Sequence, residues 1–415
     1  MHILILYKNK NYEYFFFFIK KDYISLSMLK KYFKKFSLFD NNKQLSTKIM
    51  FVFYLIVCFY ITSFSLKNPF YNWDIIGYVA AAKSFETTDH ITLHNVIYDE
   101  LKKVTAKDKY SYLTSNEFRK EMEINAKAFE QQLPFYQIRI IYVAAIYILA
   151  KLGMNMFYAT HFISAISIFM SLILLYFTFR KVINSHILFT LPFYAVFIGI
   201  MKVARHSSPD GLTLLIVTGI AYLWLGNSRW VFFLLPLSVL VRTDLILFVV
   251  PLCIYFFLYS KQWKNDALIS LGVCTLCYIG VNSIFDNYGW ATIFVYTFMK
   301  KLIYPAEVSI RLGLVDYYKV FMNSIFYSLT YSSMFFLYIY ISILGIFAYK
   351  KKYKVKLTNQ TNQEKVFVLS IISLFYVSAH FMLFPATWER FFMAQYLFLF
   401  MLIGLLFNSS KDITK

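Results

Sequence analysis

The stretch IMFVFYLIVCFYITSFSLKNPFYNWDIIGYVAAA, residues 49–82, contains the two features that predict the fold. Its first half is a strongly apolar run, about as long as a membrane is thick. Its second half opens the longest polar segment of the chain and carries Asp74 about two helical turns beyond the apolar run. Tyr71, Trp73 and Tyr78 flank this carboxylate. Because Tyr and Trp favour the boundary between membrane and water, we expect the loop to lie against the bilayer surface.

Asp74 has two interpretations at this position. A carboxylate held at the membrane surface can meet a polar substrate whose tail lies in lipid. It can equally be an interfacial side chain with satisfied hydrogen bonds and no catalytic role. The spacing alone does not choose between these two interpretations.

The composition predicts an all-α, polytopic integral membrane protein. Of the 415 residues, 59% are hydrophobic and 15% are charged, whereas soluble domains are about 45–50% apolar. The net charge of +20 is typical of basic cytoplasmic loops in a membrane protein and does not indicate nucleic-acid binding. Cys274 and Cys277 form a CxxC pair inside an apolar run. Because a second ligand pair is missing around them, a metal or redox role is disfavoured.

Three segments follow from the charge pattern. Residues 1–48 are basic and predict a cytoplasmic, membrane-surface N-terminal segment. Residues 49–407 predict a transmembrane domain of about ten helices. Within it, residues 67–156 predict an external first loop with helices along the interface. Residues 408–415 predict a cytoplasmic tail, and the plasma (inner) membrane is the expected location.

Two apolar runs leave the topology open. Residues 135–152 are at the lower limit for a span, and residues 231–260 are too long for one and contain Arg242 and Asp244 in the middle. Each of these charges would cost about 2.5–3.5 kcal/mol at the bilayer centre. We favour 135–152 at the outer interface and 231–260 as a helical hairpin, since this places more Lys and Arg inside. The alternative makes each run a single span.

The favoured topology brings the polar clusters to one external face. They are Asp74; Arg205, His206 and Asp210 in the RHSSPDG turn; Arg242 and Asp244; and Glu389 and Arg390 in FPATWER. Each cluster also has a purely structural interpretation. Asp210 could cap the following helix, and the other carboxylates could pair with the neighbouring arginines. Their shared face favours a common site.

The order of these parts resembles the GT-C class of membrane glycosyltransferases. In that class the first external loop bears an essential Asp, as Asp74 does here, followed by membrane-surface helices such as LPFYQIRIIYVAAIYILAKLG (residues 133–153). A second acidic residue follows the third span, as in ARHSSPDGLTLL (204–215). LPLSVLVRTDLILFVVPL (235–252) and MLFPATWERFFMAQYLF (382–398) are similar to its later Arg-bearing turns. Ile75 follows Asp74 where several subfamilies have Glu.

The resemblance implies transfer of a sugar, with inversion, from a polyprenyl phosphate or diphosphate carrier to an external glycan, lipid or protein acceptor of the cell envelope. Asp74 would be the general base and Asp210 a second acidic group. If the reaction uses a divalent cation, these two are its expected ligands. The expected contacts to the lipid phosphate and substrate are Arg205, His206, Arg242, Asp244, Glu389 and Arg390.

Two other functions remain open. A transporter or flippase of lipid-linked glycans also needs external Arg and Asp, but it should carry mid-membrane ionisable residues or an internal repeat. A polymerase or ligase of surface polysaccharide usually has its large polar loop late in the chain. Here the large loop comes first, which favours the glycosyltransferase.

Cysteine labelling tests the predicted topology. In a variant without the native cysteines, an impermeant thiol reagent added to intact cells should label external positions and reach cytoplasmic ones only after permeabilisation. The external positions are Ser111, Asp210 and Ala386, and the cytoplasmic ones are Asn184, Asn227 and Gln360. Strong labelling at position 227 with none at 210 would contradict the hairpin.

Overall fold

The computed structural model describes residues 43–331, 333–355, 357–358 and 361–407. These residues form helices and connecting turns, with no strand and one isolated bridge between Phe70 and His206. The predicted all-α fold is therefore confirmed. The described residues between Met50 and Phe407 form one compact unit, and of residues 1–49 only 43–49 are described, as the start of the helix Lys43–Lys67. The expected basic N-terminal segment falls mostly, and the tail 408–415 entirely, outside the described residues.

Among the described residues, five helices are long and apolar enough to cross a membrane: Thr47–Lys67, Met156–Phe179, Lys261–Ile284, Met334–Tyr353 and Asn362–Leu383. Shorter apolar helices accompany them, namely Ser185–Phe197, Asp210–Leu225, Val231–Val241, Thr243–Tyr259, Gly289–Phe298 and Met393–Phe407. The helices support a membrane protein, whereas the prediction of about ten crossings stays a prediction.

The segment 135–152 is bent. Ala126–Gln137 and Ile140–Lys151 meet at an angle of 108°. The second helix has 12 residues and is about 18 Å long, well short of the roughly 30 Å of a hydrocarbon core. Tyr142, on its buried side, contacts Tyr78 of the helix Asp74–Lys83 with ring centroids 4.9 Å apart. The helix therefore supports the polar first loop and cannot cross alone.

The long run 231–260 folds as two helices, Val231–Val241 and Ile246–Tyr259, joined at Arg242 and a short 3-10 turn. Phe232, near the start, contacts Phe256, near the end, with ring centroids 5.2 Å apart. The chain therefore turns back on itself, and the two-helix hairpin expected here is present. Its apex carries the two charges that a single span would place at mid-bilayer.

The run 186–204, in contrast, is not one regular helix. It consists of Ser185–Leu188, Leu191–Phe197 and Ile200–Arg205. Pro192 lies in the first turn of the second piece, and Gly199 has the left-handed φ of 92° at the start of the third. Only glycine adopts that conformation without strain, so the second break is fixed by Gly199.

The helical unit has two ends of different chemistry. At the end that we call the aspartate end, Arg242 contacts Asp210 at 2.5 Å. At the other, the lysine end, Lys365 donates to the Trp224 carbonyl at 3.1 Å. Asp210 and Trp224 lie near the opposite ends of one helix, Asp210–Leu225. The lysine end also contains Lys181, whose amine donates to the Tyr222 carbonyl at 3.5 Å.

Two helices approach each other closely beneath the aspartate end. A Cβ added to Gly211 would lie 2.9 Å from the Ser164 carbonyl oxygen of the helix Met156–Phe179. Backbone atoms on both sides leave no flexible group that could yield. The Gly in SSPDG therefore permits the contact that positions Asp210.

We predict that Gly211→Leu destabilises the protein by about 1–3 kcal/mol, because the added side chain must separate two packed backbones. The matched control is Gly272→Leu in the helix Lys264–Ile284, where an added Cβ has nothing within 4 Å. Thermal unfolding in detergent should show a lower midpoint for the first variant only. Equal midpoints would contradict the tight contact.

Candidate functional site

Asp74 is positioned by a loop that is joined to the 205–207 turn. The Phe70 amide donates to the Arg205 carbonyl at 2.9 Å, and the Arg205 Nε donates to the Asn68 carbonyl at 2.5 Å. These bonds close the connection between the first apolar helix and the helix Asp74–Lys83, whose first residue is Asp74. A carboxylate at a helix N-terminus is favoured by the helix dipole.

Asp210 is positioned by its own turn. It begins the helix Asp210–Leu225, is 3% exposed, and accepts a 2.8 Å hydrogen bond from the Ser208 hydroxyl. The N-cap residue, Pro209, makes no side-chain cap bond. Asp210 instead directs its other carboxylate oxygen to Arg242 at 2.5 Å. It thus does more than begin the helix.

Three aspartates and two arginines alternate in a chain of ion pairs. Arg390 lies between Asp74, at 3.2 Å, and Asp210, at 3.6 Å. Arg242 lies between Asp210, at 2.5 Å, and Asp244, at 2.7 Å. We call this set the aspartate–arginine chain. It joins four segments that are far apart in the sequence, and its side chains carry a net charge of −1 when all five are ionised.

At the Asp244 end of the aspartate–arginine chain, polar side chains of the helix Asn362–Leu383 contact the carboxylate. The Tyr376 hydroxyl donates to Asp244 at 3.0 Å, and the His380 Nε2 lies 3.2 Å from the same oxygen. Arg242 binds both oxygens of Asp244, from Nε at 3.0 Å and from Nη2 at 2.7 Å. This paired, hydrogen-bonded geometry offsets the cost of burying these charges.

Both arginines also pack on aromatic rings. The Arg242 guanidinium lies 4.4 Å from the Phe391 ring centroid, and that of Arg390 lies 5.1 Å from the Trp388 ring centroid. Each guanidinium group is bound by carboxylates at its edge and packs an aromatic ring against its face. Both groups therefore already have binding partners within the protein. They organise the site in this structure, and any contact to a substrate phosphate would compete with these partners.

The other three predicted site residues, Arg205, His206 and Glu389, lie beside the aspartate–arginine chain. Arg205 is bound to the first loop, as described above, and Glu389 lies 3.8 Å from Lys202. His206 is buried against Phe70, with ring centroids 4.9 Å apart. Burial, followed by the positive charge of Arg390, lowers the pKa of His206 to about 4. His206 is therefore neutral at physiological pH.

Asp74 opens into a cleft at the aspartate end, with a volume of about 550 Å³. Such a volume fits a sugar ring with a phosphate group. Asn72 and Arg390 both donate to Oδ2 of Asp74, at 3.0 and 3.2 Å. Oδ1 therefore remains as its second acceptor. The cleft is lined by Trp73, Asp74, Asn116, Glu117, Phe118, Arg119, Tyr296 and Lys301.

Two cations of this cleft, Arg119 and Lys301, were not predicted. Arg119 donates to the Tyr112 carbonyl at 2.7 Å and lies 5.7 Å from the Trp73 ring centroid. The Lys301 amine lies 4.3 Å from the Tyr296 ring centroid, and burial lowers its pKa. Neither forms an ion pair with a carboxylate of the described residues. They are therefore available to a bound anion.

Long-range packing explains why the sequence did not reveal Lys301. Gln132 of the first loop is buried and donates to the Leu302 and Ile303 carbonyls at 3.1 and 3.0 Å. This contact brings the segment after the helix Gly289–Phe298 against the first loop. Nothing in the local pattern around Lys301 indicates that contact.

The two carboxylates considered as metal ligands do not form a metal site as arranged here. Arg390 lies between Asp74 and Asp210 and contacts both. In the described part of the chain, no group of three or more His, Cys, Asp or Glu residues could hold a metal ion. The Arg390 guanidinium lies between the two carboxylates and supplies the positive charge that a metal ion would otherwise provide.

Comparisons with models of protein families, with curated proteins and with solved structures find no match for this chain. We therefore infer its function from the geometry of the site.

We predict that Arg242→Met lowers the free energy of unfolding by about 3–5 kcal/mol, because the buried Asp210 and the half-buried Asp244 both lose the guanidinium that lies between them. The control is Arg229→Met, which removes a 2.9 Å pair with Asp266 from an arginine whose side chain is 71% exposed. An exposed pair is worth only about 0–1 kcal/mol. Chemical unfolding in detergent compares the two variants. Equal losses in the free energy of unfolding would show that the aspartate–arginine chain does not stabilise the protein.

Proposed function

We propose that this protein is a membrane glycosyltransferase of the GT-C type, which moves a sugar from a polyprenyl phosphate or diphosphate to an acceptor on the external membrane face. The observation that carries the proposal is the cleft itself. It combines one available carboxylate oxygen, Asp74 Oδ1, with two cations, Arg119 and Lys301, that are not paired with carboxylates. A base and a separate anion-binding pair are the two requirements of this reaction.

The proposed step begins with the acceptor hydroxyl near Asp74. Its oxygen attacks the anomeric carbon of the sugar while its proton passes to Asp74 Oδ1. The bond between the anomeric carbon and the phosphate oxygen breaks, and the phosphate leaves with the electron pair. Arg119 and Lys301 would stabilise the negative charge that develops on this phosphate. Attack opposite to the leaving group inverts the anomeric configuration.

The aspartate–arginine chain has a supporting role in this mechanism. Arg390 contacts Asp74 and is itself held by Asp210. Since the chain continues through Arg242 to Asp244, its members fix the position of the base.

The proposed orientation places the aspartate end outside and the lysine end in the cytoplasm. It is supported by the basic residues of the loops at the lysine end, which are Arg180, Lys181, Arg229, Lys261, Lys264 and Lys350–Lys352. Counting the broken segment 185–205 and each arm of the hairpin as a crossing gives the proposed ten spans. Asp210 and Ala386 are buried, so cysteine labelling depends chiefly on the exposed Ser111, Asn184 and Asn227.

A transporter of lipid-linked glycans is the second candidate. The observation in its favour is the burial of ionisable side chains in the helical unit, with Asp210 3% and Arg242 5% exposed. The two functions differ in their product. A transferase breaks the bond between sugar and phosphate, whereas a transporter returns the lipid-linked sugar intact.

We predict that Asp74→Asn loses sugar transfer by at least about a hundredfold, because the amide keeps the shape of the side chain but cannot accept the proton. The measurement is turnover of a lipid-linked sugar by purified protein, normalised to folded protein. The control is Asp108→Asn, at a carboxylate that is 73% exposed in the same loop. Activity of Asp74→Asn within a few-fold of wild type would remove Asp74 from the chemistry.

A further inference from the structure

Asn72 connects the 205–207 turn to Asp74 through its side-chain amide. The backbone N–H of Ser207 donates to Asn72 Oδ1 at 3.1 Å, and Asn72 Nδ2 donates to Asp74 Oδ2 at 3.0 Å. A backbone N–H can only donate, so the Asn72 atom that faces it must be the carbonyl oxygen. The NH₂ group must then face Asp74. The orientation of this amide is fixed by a contact that has no alternative.

The anchor of this amide is rigid. Ser207 is fully buried, and its hydroxyl accepts from Thr160 Oγ1 at 3.0 Å and lies 3.2 Å from His161 Nδ1. Both partners belong to the long helix Met156–Phe179. The position of the Asn72 amide is therefore set by the buried helices and does not depend on the first loop alone.

Two donors reach the same oxygen of Asp74. Asn72 Nδ2 and Arg390 Nη1 lie 3.0 and 3.2 Å from Oδ2. Two donors at one oxygen restrain the rotation of the carboxyl group more tightly than one donor would. Among the described residues, the hydrogen bonds to the Asp74 carboxylate reach Oδ2 and leave Oδ1 as the second acceptor.

We propose that Asn72 is a positioning residue whose amide, together with Arg390, holds Oδ2 of Asp74 so that Oδ1 is presented to the cleft. The inference rests on the proposed role of Asp74 as the base. It adds that the geometry of this base is set from the 205–207 turn. Asn72 itself does not touch the substrate.

Two substitutions separate this role from mere packing. Asn72→Leu removes the donor to Asp74 and leaves the Ser207 N–H without its acceptor. Asn72→Asp keeps the shape and the acceptor for Ser207 but turns a carboxylate oxygen, instead of a donor, toward Asp74. The matched control is Asn68→Leu, since the Asn68 amide belongs to the same loop and donates only to the Phe64 carbonyl, at 2.9 Å.

The experiment is carbodiimide labelling of Asp74 in the purified full chain, followed by peptide mass spectrometry over a pH series. Carbodiimides react with the protonated carboxyl group. Loss of a donor to the ionised form raises the pH at which a carboxylate is protonated. We expect the labelling midpoint to rise in Asn72→Leu. It should rise further in Asn72→Asp and stay unchanged in Asn68→Leu.

An unchanged midpoint in folded Asn72→Leu would overturn the positioning role. Carbodiimide labelling needs no turnover, so it tests the role of Asn72 even if the purified protein transfers no sugar. Absence of sugar transfer would count against the proposed function alone. Where transfer is measurable, the acid limb of its pH profile should move to higher pH by the same amount as the labelling midpoint. If the labelling midpoint moves and the acid limb of the transfer profile does not, Asp74 is not the base.

Discussion

The pairing of Arg242 with Asp210 and Asp244 is the interaction on which the aspartate end depends. Each of these charges would be costly alone in an apolar helical unit, and together they satisfy one another. Arg242 also fixes where the long apolar run turns back, since the apex of the hairpin must lie where its charges find partners. Through Asp210 and Arg390 the same pairing extends to Asp74. The same set of ion pairs thus constrains the hairpin 231–260, the start of the helix Asp210–Leu225 and the first loop.

This constraint explains what could be predicted from the sequence. An Arg and an Asp in the middle of residues 231–260 make a single span costly, and the distribution of Lys and Arg favours the hairpin over it. The convergence of Asp74, Asp210, Arg242, Asp244 and Arg390 was a consequence of the favoured topology, and the ion pairs of the structure agree with it. The apolar first half of residues 49–82 likewise predicted a helix of membrane length, which the structure has as Thr47–Lys67.

The choice of partner for each side chain could not be predicted, because it depends on packing between distant segments. Arg205 was expected at a phosphate, but it donates to the Asn68 carbonyl, and Glu389 lies near Lys202. Gln132 of the first loop binds the backbone beside Lys301 and helps to bring it into the cleft. The second break in 185–205 lies at Gly199, whose left-handed backbone is compatible with either a kink or a loop.

The central claim is that the cleft beside Asp74 receives the phosphate of a lipid-linked sugar. The most direct test is a cryo-electron microscopy structure of the full chain in a lipid nanodisc with a polyprenyl phosphate bound. We expect phosphate density within hydrogen-bonding distance of Arg119 and Lys301, on the side of the cleft faced by Asp74 Oδ1. Phosphate density at the lysine end, or against Arg205 with the cleft empty, would contradict it.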